Sequence, residues 1–247
     1  GDEAFHYKAS ADQPWITLKP AAGKVDEMVR LEVGADWEAM KISEAHAVIT
    51  IETDAGEPMQ VTLPVRKRPA DVRGFVESDG HIAIEAPYFH RAIDRGDIHW
   101  QTLPNFGRTL GGVTAFPVTA PEQRPGGDAP RLEYDLHFFS AGNVSVEVHT
   151  APSLDFQPGE GLRFAVSFDN EAPQIVRLGN NPTERAWEVS VGDGVTRLTS
   201  RHRIEKPGHH VLKLWMVTPG VVFERIVVDT GGLRPSYLGP PESYKKP

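Results

Sequence analysis

The residue types that could catalyse a reaction are numerous in this chain, but they do not fall into a known catalytic spacing. The motifs Gly-x-Ser-x-Gly for an activated serine, His-Glu-x-x-His for zinc and Gly-x-x-x-x-Gly-Lys for phosphate are absent. His209 and His210 are adjacent at the start of a strand-like segment. Neighbouring side chains of a strand point to opposite faces, so these two do not form a metal-binding pair. We therefore expect no self-contained catalytic site.

Carboxylates are the remaining acid–base candidates, with 34 Asp and Glu residues in the chain. Glu133, Asp135 and Glu147 occupy alternate positions of two strand-like segments, which predicts that they line an exposed sheet face. Solvated carboxylates keep ordinary pKa values, so a glycosidase-type acid–base pair is disfavoured at these positions.

Composition narrows the function classes further. The chain has 247 residues, no cysteine and a formal net charge of −8. The lack of cysteine excludes disulfides, thiol nucleophiles and cysteine-ligated metals, and the acidic balance disfavours nucleic-acid binding. No apolar run approaches the roughly 20 residues of a membrane-spanning helix. The chain begins at Gly1 without an initiator Met or an apolar leader, which we interpret as a processed or excised chain.

Alternating apolar and polar residues indicate that the chain is built from β-strands, with almost no helix. In 131–138 and 143–150 every second residue is apolar, and Ala141-Gly142-Asn143 between them is typical of a hairpin turn. These segments predict two adjacent antiparallel strands, and the pattern continues to residue 229. We therefore predict an all-β protein whose second half is an antiparallel sandwich, with one solvent-exposed face per sheet.

The first seventy residues form a separate set of short strand-like segments. Segments such as 29–33, 47–52 and 61–65 recur with turn residues about every ten positions, which is typical of an immunoglobulin-like sandwich. The charged and proline-containing segment 66–71 interrupts this pattern, so we predict a domain boundary near residue 72. The prediction is two tandem antiparallel β-sandwiches, residues 1–72 and 73–247.

Irregular segments of the second half resemble a known family. Residues 111–120, GGVTAFPVTA, and 229–243, DTGGLRPSYLGPPES, resemble the C-terminal region of glycoside hydrolase family 115, the xylan α-1,2-glucuronidases. The order of several strand-like segments is similar to that of a jelly-roll carbohydrate-binding module; these are 84–86, 132–135, 161–169, 173–176 and 207–210. The resemblance covers nearly all of residues 72–244.

The resemblance implies a role for the chain and a set of partners. Catalysis in this family belongs to a central barrel domain, which would precede Gly1, and none of its catalytic residues has a counterpart here. The resemblance implies a non-catalytic accessory region that binds glucuronoxylan or braces the catalytic domain or a dimer partner, in a periplasmic or secreted bacterial enzyme. A structural or protein-interaction module without sugar affinity is the alternative. Neither nucleic acid nor a membrane is expected as a partner.

Sugar binding needs exposed aromatic faces and a few oriented polar groups, and four residues meet that description. Trp100, Phe106 and Arg108 lie in a long irregular stretch, and Trp187 lies in a segment expected to be a loop. The guanidinium of Arg108 matches the carboxylate of a uronate. Each aromatic side chain also fits a packing role at the end of the sandwich. The tryptophans expected in a core or between domains are Trp15, Trp37 and Trp215.

A structural calcium ion is the only cofactor that the resemblance raises. In related calcium-bearing modules the strand at 84–86 continues with another acidic residue, and Pro87 occupies that position here. Glu85 and Asp229 are the residues that could supply oxygen ligands. No other cofactor is expected.

The ending of the chain is rich in proline but carries apolar side chains at Leu233, Tyr237 and Leu238. A free tail is normally polar, so we expect these side chains to be buried. The sequence therefore predicts an ordered, extended segment over 233–241, with residues 244–247 loose.

Overall fold

The computed structural model describes residues 4–26, 28–67, 71–109, 111–154, 156, 160–178, 184–236 and 239–246. Backbone contacts divide the chain into two compact units, Gly1–Ala70 and Asp71–Pro247. Both units consist mainly of β-strands, so the chain is an all-β protein, as the sequence predicts. No helix within the described residues is long and apolar enough to cross a membrane.

The first unit consists of two small antiparallel sheets. Its strands are β1 (Phe5–Ala11), β2 (Ile16–Lys19), β3 (Ala22–Val25), β4 (Glu32–Ala35), β5 (Glu44–Thr53) and β6 (Met59–Arg66). One sheet has the order β3-β1-β5-β6, and the other pairs β2 with β4. Trp15 packs in the core with Met40 and Ala47. Trp37 is 48% exposed, so it does not pack in the core of this unit.

The second unit is a jelly-roll-like sandwich of two larger sheets. Its elements are β7 (Gly74–Val76), β8 (His81–Glu85), β9 (Arg91–Ile93), β10 (His99–Pro104), β11 (Gly111–Phe116), β12 (Arg131–Phe138), β13 (Gly142–Thr150), β14 (Arg163–Phe168), β15 (Gln174–Arg177), α1 (Glu184–Asp193), β16 (Thr196–Ile204), β17 (Gly208–Met216), β18 (Phe223–Asp229) and β19 (Lys245–Lys246), with a 3₁₀ turn at Ala86–Tyr88. The six-stranded sheet has the order β10-β11-β18-β13-β16, and β8 also pairs with β18. The seven-stranded sheet has the order β15-β14-β17-β12-β7-β19, and β9 also pairs with β12.

Side chains on the facing surfaces of the two sheets form one continuous core. Tyr134 and Phe138 of β12 and Phe164 of β14 lie opposite Val146 and Phe223 of the other sheet, and all five are at most 1% exposed. Phe164 and Phe223 meet edge to face, with ring centroids 5.1 Å apart. Burial of each large side chain contributes about 1.5–3 kcal/mol, so this core is the main stabilising element of the second unit.

The predicted hairpin at 141–143 is wrong, because β12 and β13 lie in different sheets. β12 pairs with β17, β7 and β9, whereas β13 pairs with β16 and β18. Ala141-Gly142-Asn143 does mark a change of direction, but it carries the chain from one sheet to the other. Alternation predicts which side chains face the core. It does not predict the neighbouring strand, because both strands present apolar residues to the same core.

Part of the outer face of the seven-stranded sheet is covered, which differs from the prediction of one exposed face per sheet. The segment between β11 and β12 crosses this face, where Gln123 N donates to Val217 O at 2.7 Å. Glu133 is 3% exposed, and its carboxylate accepts hydrogen bonds from Arg91 Nε at 2.8 Å and Arg131 Nε at 2.6 Å. The prediction that Glu133 lines an exposed face is therefore wrong.

The ending of the chain is more ordered than predicted. Val76 N donates to Tyr244 O at 2.9 Å, and β19 pairs antiparallel with β7. Residues 244–246 are therefore paired with a strand instead of loose. Leu233 is half-buried, whereas Tyr237 and Leu238 lie outside the described residues.

Candidate functional site: the loop end of the sandwich

One end of the second unit gathers the connections that carry most of the candidate sugar-binding residues. Residues 105–110 join β10 to β11 there, and the segments 151–162, 178–195 and 217–222 each join one sheet to the other. Their strand ends are in register, since Thr150 lies opposite both Thr196 and Phe223. We call the described residues of these four segments the loop end.

The connection between β10 and β11 is held against β18 by Glu224. Gly107 has a φ of +75°, and a Cβ there would lie 2.5 Å from the carboxyl carbon of Glu224. Glycine is therefore needed both for the left-handed backbone and for the close approach. Arg108 N donates to Glu224 Oε2 at 3.4 Å. The Arg108 side chain passes the end of α1, with its Cγ 3.6 Å from where a Cβ of Gly194 would lie.

The structure brings Phe106, Arg108 and the helix that carries Trp187 to this end. Phe106 is 38% exposed, and Arg108 is half-buried. Trp187 lies in α1, not in the loop that the sequence predicts. Its side chain is half-buried, as is that of Ser190, three residues further along the helix. Residues at this spacing share one helix face, so Trp187 is on the more buried side of α1.

Trp100 does not belong to this exposed surface. Its indole packs against Phe223, with ring centroids 6.2 Å apart, and its Nε1 donates to Ile93 O at 3.2 Å. Trp100 is half-buried against the main core. The structure thus places it in the packing position that the sequence left as the alternative to sugar binding.

A cluster of buried charged residues beneath the loop end was missed by the sequence analysis. Glu85, Glu224 and Arg225 are each at most 5% exposed. Glu85 Oε1 lies 3.4 Å from Arg225 Nη1, and Thr109 donates a hydrogen bond to Glu85. Burial raises the pKa of Glu224, and the hydrogen bond from the Arg108 backbone only partly opposes this effect. The cluster therefore keeps one carboxyl group easier to protonate than an ordinary glutamate.

A β-bulge explains why two consecutive residues of β18 belong to this cluster. Arg225 lies opposite His149, and the next pair towards the loop end is Phe223 with Thr150. Glu224 is therefore the extra residue of the bulge. His149 Nε2 lies 2.7 Å from Glu147 Oε1, and this hydrogen bond lowers the pKa of Glu147. The signal available in the sequence was the charged pair inside an otherwise apolar strand.

Glu85 and Asp229 do not converge as calcium ligands. β8 and β18 are paired, but Glu85 lies opposite Arg225 and Asp229 lies opposite His81. This register separates the two carboxylates by four residues, about 13 Å along the strands. Asp229 Oδ1 instead accepts a hydrogen bond from Gly231 N at 2.8 Å. Among the residues that the structure describes, no group of three or more His, Asp or Glu side chains could hold a metal ion. The residues present therefore do not fit a calcium ion here.

Exposed apolar side chains are concentrated at the loop end. In the described part of the second unit, the large exposed apolar side chains at this end are Phe106, Leu154, Phe156, Val189 and Val191. Leu154 is 70% exposed and Phe156 is 56% exposed. Three of the five side chains are aliphatic, so the surface is apolar without being mainly aromatic.

Comparison with known families identifies the second unit. Residues 74–242, well over half of the chain, match the family model described as the glycosyl hydrolase family 115 C-terminal domain. The chain belongs to this family. No curated protein sequence shows a significant match to this family 115 chain.

Solved structures similar to the family 115 chain match it at low sequence identity and with TM-scores below 0.5. The family 115 4-O-methyl-α-glucuronidase BtGH115A, described as specific for decorated arabinogalactans, is 15% identical with a TM-score of 0.45, over 66% of this chain and 19% of that chain. The GH26-CBM35 β-(1,4)-mannanase of Podospora anserina is 13% identical with a TM-score of 0.42, over 64% and 29%. CsCBM6-3 of Clostridium stercorarium, solved with cellobiose, is 12% identical with a TM-score of 0.39, over 66% and 100%. The chain therefore spans less than a third of the first two of these proteins.

Proposed function

We propose that the second unit is a non-catalytic accessory domain that braces the catalytic domain of a family 115 glycoside hydrolase through its loop end. The observation that carries this proposal is the concentration of exposed apolar side chains there. Apolar surface removed from water contributes roughly 25 cal/mol per Å², so burial of these side chains against a partner would stabilise the contact. A domain boundary near residue 72 and an immunoglobulin-like first domain are part of the same proposal.

The chemistry of these side chains favours a protein partner over a sugar. Leu154, Val189 and Val191 offer neither a flat aromatic face for a sugar ring nor a hydrogen-bonding group. The centre of a protein interface, in contrast, is apolar and depleted of charge. The catalytic domain of the same enzyme is the partner that family membership suggests.

Glucuronoxylan binding at the loop end is a second candidate function. It is supported by Phe106 and Arg108, which are two residues apart in one connection and combine a partly exposed ring with a guanidinium. The guanidinium can bind a uronate carboxylate through two parallel hydrogen bonds. We propose that in either case the domain belongs to a periplasmic or secreted bacterial enzyme. A purely structural or protein-interaction module would lack the sugar affinity.

The bracing role is tested in the family 115 enzyme that contains this domain, with Leu154 and Val189 both replaced by Asp. We expect the melting temperature of the catalytic domain to fall, because two charges would be buried at the interface. Both positions are exposed in residues 1–247, so the melting of this chain alone should not change. Val118→Asp is the control, since Val118 is 46% exposed and lies outside the loop end. Unchanged melting of the whole enzyme would refute the bracing role.

Calorimetric titration of the chain with an aldouronic oligosaccharide tests the second function. Phe106→Ala and Arg108→Gln should each weaken binding at least tenfold if the loop end holds the uronate. Full affinity in both variants would reject sugar binding at this place. Release of methylglucuronic acid by the purified chain, above a buffer control, would contradict the non-catalytic assignment.

A further inference from the structure

A polar groove lies on the outer face of the six-stranded sheet, away from the loop end. It is formed where β13 begins and where β16 and β18 end, and its volume is about 660 Å³. Ser145 of β13 lies opposite both Arg201 of β16 and Asp229 of β18, and Asn143 lies opposite Arg203. Val144 and Val146 face the core, so the alternate residues Asn143 and Ser145 project outward, into the groove.

The carboxylates of the groove are already bound by groups of the protein. Asp229 Oδ1 accepts hydrogen bonds from Gly231 N at 2.8 Å and from Leu233 N at 3.2 Å. Glu171 Oε2 lies 2.8 Å from His202 Nδ1. These hydrogen bonds hold both carboxylates in place in the groove.

The guanidinium groups of the groove have fewer partners within the described residues. Arg201 is exposed, and within the described residues its guanidinium has no hydrogen-bond or ion-pair partner. Arg203 Nε lies 3.0 Å from Glu205 Oε1, but both side chains are mostly exposed, and such a pair is worth little in water. The groove thus offers two exposed guanidinium groups on a chain whose net charge is −8.

We propose that this groove binds an acidic oligosaccharide, with a sugar carboxylate held by Arg201 and Arg203. The two residues are two positions apart on one strand, so their side chains leave the same face about 6.6 Å apart. A guanidinium fork matches the geometry of a carboxylate. This site uses no residue of the loop end and does not depend on the bracing role.

The other groups of the groove fit a polyhydroxylated ligand better than a densely charged one. Ser145 and Asn143 can donate to and accept from sugar hydroxyls, and Asp229 and Glu171 retain acceptor oxygens. The same two carboxylates would repel a polyphosphate. No Phe, Tyr or Trp is among the described residues that line the groove, so recognition depends on charge and hydrogen bonds. The volume lies within the range of roughly 300–1,000 Å³ that is typical of small-ligand sites.

The experiment follows backbone amide shifts of the ¹⁵N-labelled 247-residue chain during titration. The probes are a xylo-oligosaccharide with one glucuronic acid substituent, the same compound with its carboxyl group reduced to an alcohol, and inorganic phosphate. We expect the acidic oligosaccharide to shift amides of 143–145, 199–203 and 229–231. Its carboxyl-reduced form and phosphate should each bind at least tenfold more weakly.

Variants separate this groove from other binding surfaces. Arg201→Gln should weaken binding of the acidic oligosaccharide at least tenfold, because it removes the unpaired guanidinium from an exposed position. Arg185→Gln, an exposed arginine of α1, is the matched control and should leave binding unchanged. Equal binding of the reduced form, equal binding of phosphate, full affinity of Arg201→Gln or no shifts in the groove would each overturn the proposal. Shifts confined to Phe106 and Arg108 would also overturn it, while supporting sugar binding at the loop end.

Discussion

Glu77 Oε1 and the hydroxyl of Ser140 lie 2.6 Å apart, at the point where the chain crosses from one sheet of the second unit to the other. Glu77 Oε2 also accepts from Ser140 N at 2.9 Å, and Oε1 accepts from Thr230 Oγ1 at 2.6 Å. Burial alone would raise the pKa of Glu77, but the hydrogen bonds from Ser140, Thr230 and Phe139 N outweigh it and lower the pKa. One carboxylate thus joins the ends of β7, β12 and β18.

Glu77→Gln should destabilise the second unit by about 3 kcal/mol. The amide group replaces one acceptor oxygen by a donor that would face other donors, and hydrogen bonds to a charged group are worth about 1.5–3 kcal/mol each. Urea denaturation followed by tryptophan fluorescence measures the change. Glu188→Gln, an exposed glutamate of α1, is the control and should stay within about 0.5 kcal/mol of the wild-type chain.

Glu77 should also contribute to the loss of stability in acid. Its pKa is lower in the folded chain than the ordinary value of 4.5, so its contribution is fully present above that value and is lost as the pH falls through the folded-state pKa. The difference in unfolding free energy between the wild-type chain and Glu77→Gln should therefore shrink below about pH 4.5. A difference that stays constant down to pH 3 would contradict this role of the carboxylate.

Glu133→Gln should cost about 2–3 kcal/mol, because it leaves Arg131 with a neutral partner in a buried place. Arg131 is held there by a second contact, with its guanidinium carbon 4.8 Å from the centre of the Trp215 ring. Arg91→Ala should cost less than about 1 kcal/mol, since the Arg91 side chain is 67% exposed. Denaturation of the two single variants and the double variant measures the coupling. Equal costs for the two single variants would show that burial does not decide the strength of this pair.

The alternation of residues predicted most strand cores of the second unit but not their partners. Val144, Val146 and Val148 face the core as expected, because period-2 alternation is a local property of the chain. Glu133 is buried by the segment between β11 and β12 and by side chains of other strands. The local sequence pattern therefore could not indicate its burial. α1 was missed because Val189 and Val191 are exposed and the helix lacks a clear apolar stripe.

In the candidate site, too, the sequence predicted local structure but not contacts between distant residues. The irregular sequence around Phe106 and Arg108 predicted a loop. The contact between Gly107 and Glu224 depends on a bulge in β18, a strand more than a hundred residues further along the chain. The separation of Glu85 from Asp229 likewise depends on the register between β8 and β18. The spacing of residues in the sequence does not indicate that register.

Gly107→Ala should destabilise the chain more than Gly96→Ala. Both glycines have positive φ, +75° and +56°, so both variants carry the backbone strain of about 1 kcal/mol. A Cβ at Gly107 would collide with the Glu224 carboxyl group, whereas a Cβ at Gly96 has nothing within 4 Å. The excess cost measured by urea denaturation therefore reports the contact with Glu224. Costs that agree within about 0.3 kcal/mol would mean that this loop moves away without penalty.

Deletion of residues 243–247 should lower the melting temperature, because the end of the chain completes two sheets by backbone pairing. Ser243 N donates to Ala83 O at 2.9 Å, and Val76 N donates to Tyr244 O at 2.9 Å. Ala83 N in turn donates to Ser243 Oγ at 3.0 Å. Three such bonds at about 1 kcal/mol each correspond to a decrease of roughly 6–12 °C for a unit of this size. Tyr244→Ala is the control, since its side chain is 68% exposed and the backbone bonds remain. Calorimetry that finds the deletion and the control equally stable, with rapid exchange of the Val76 and Ala83 amides in the intact chain, would show that the end of the chain is not docked in solution.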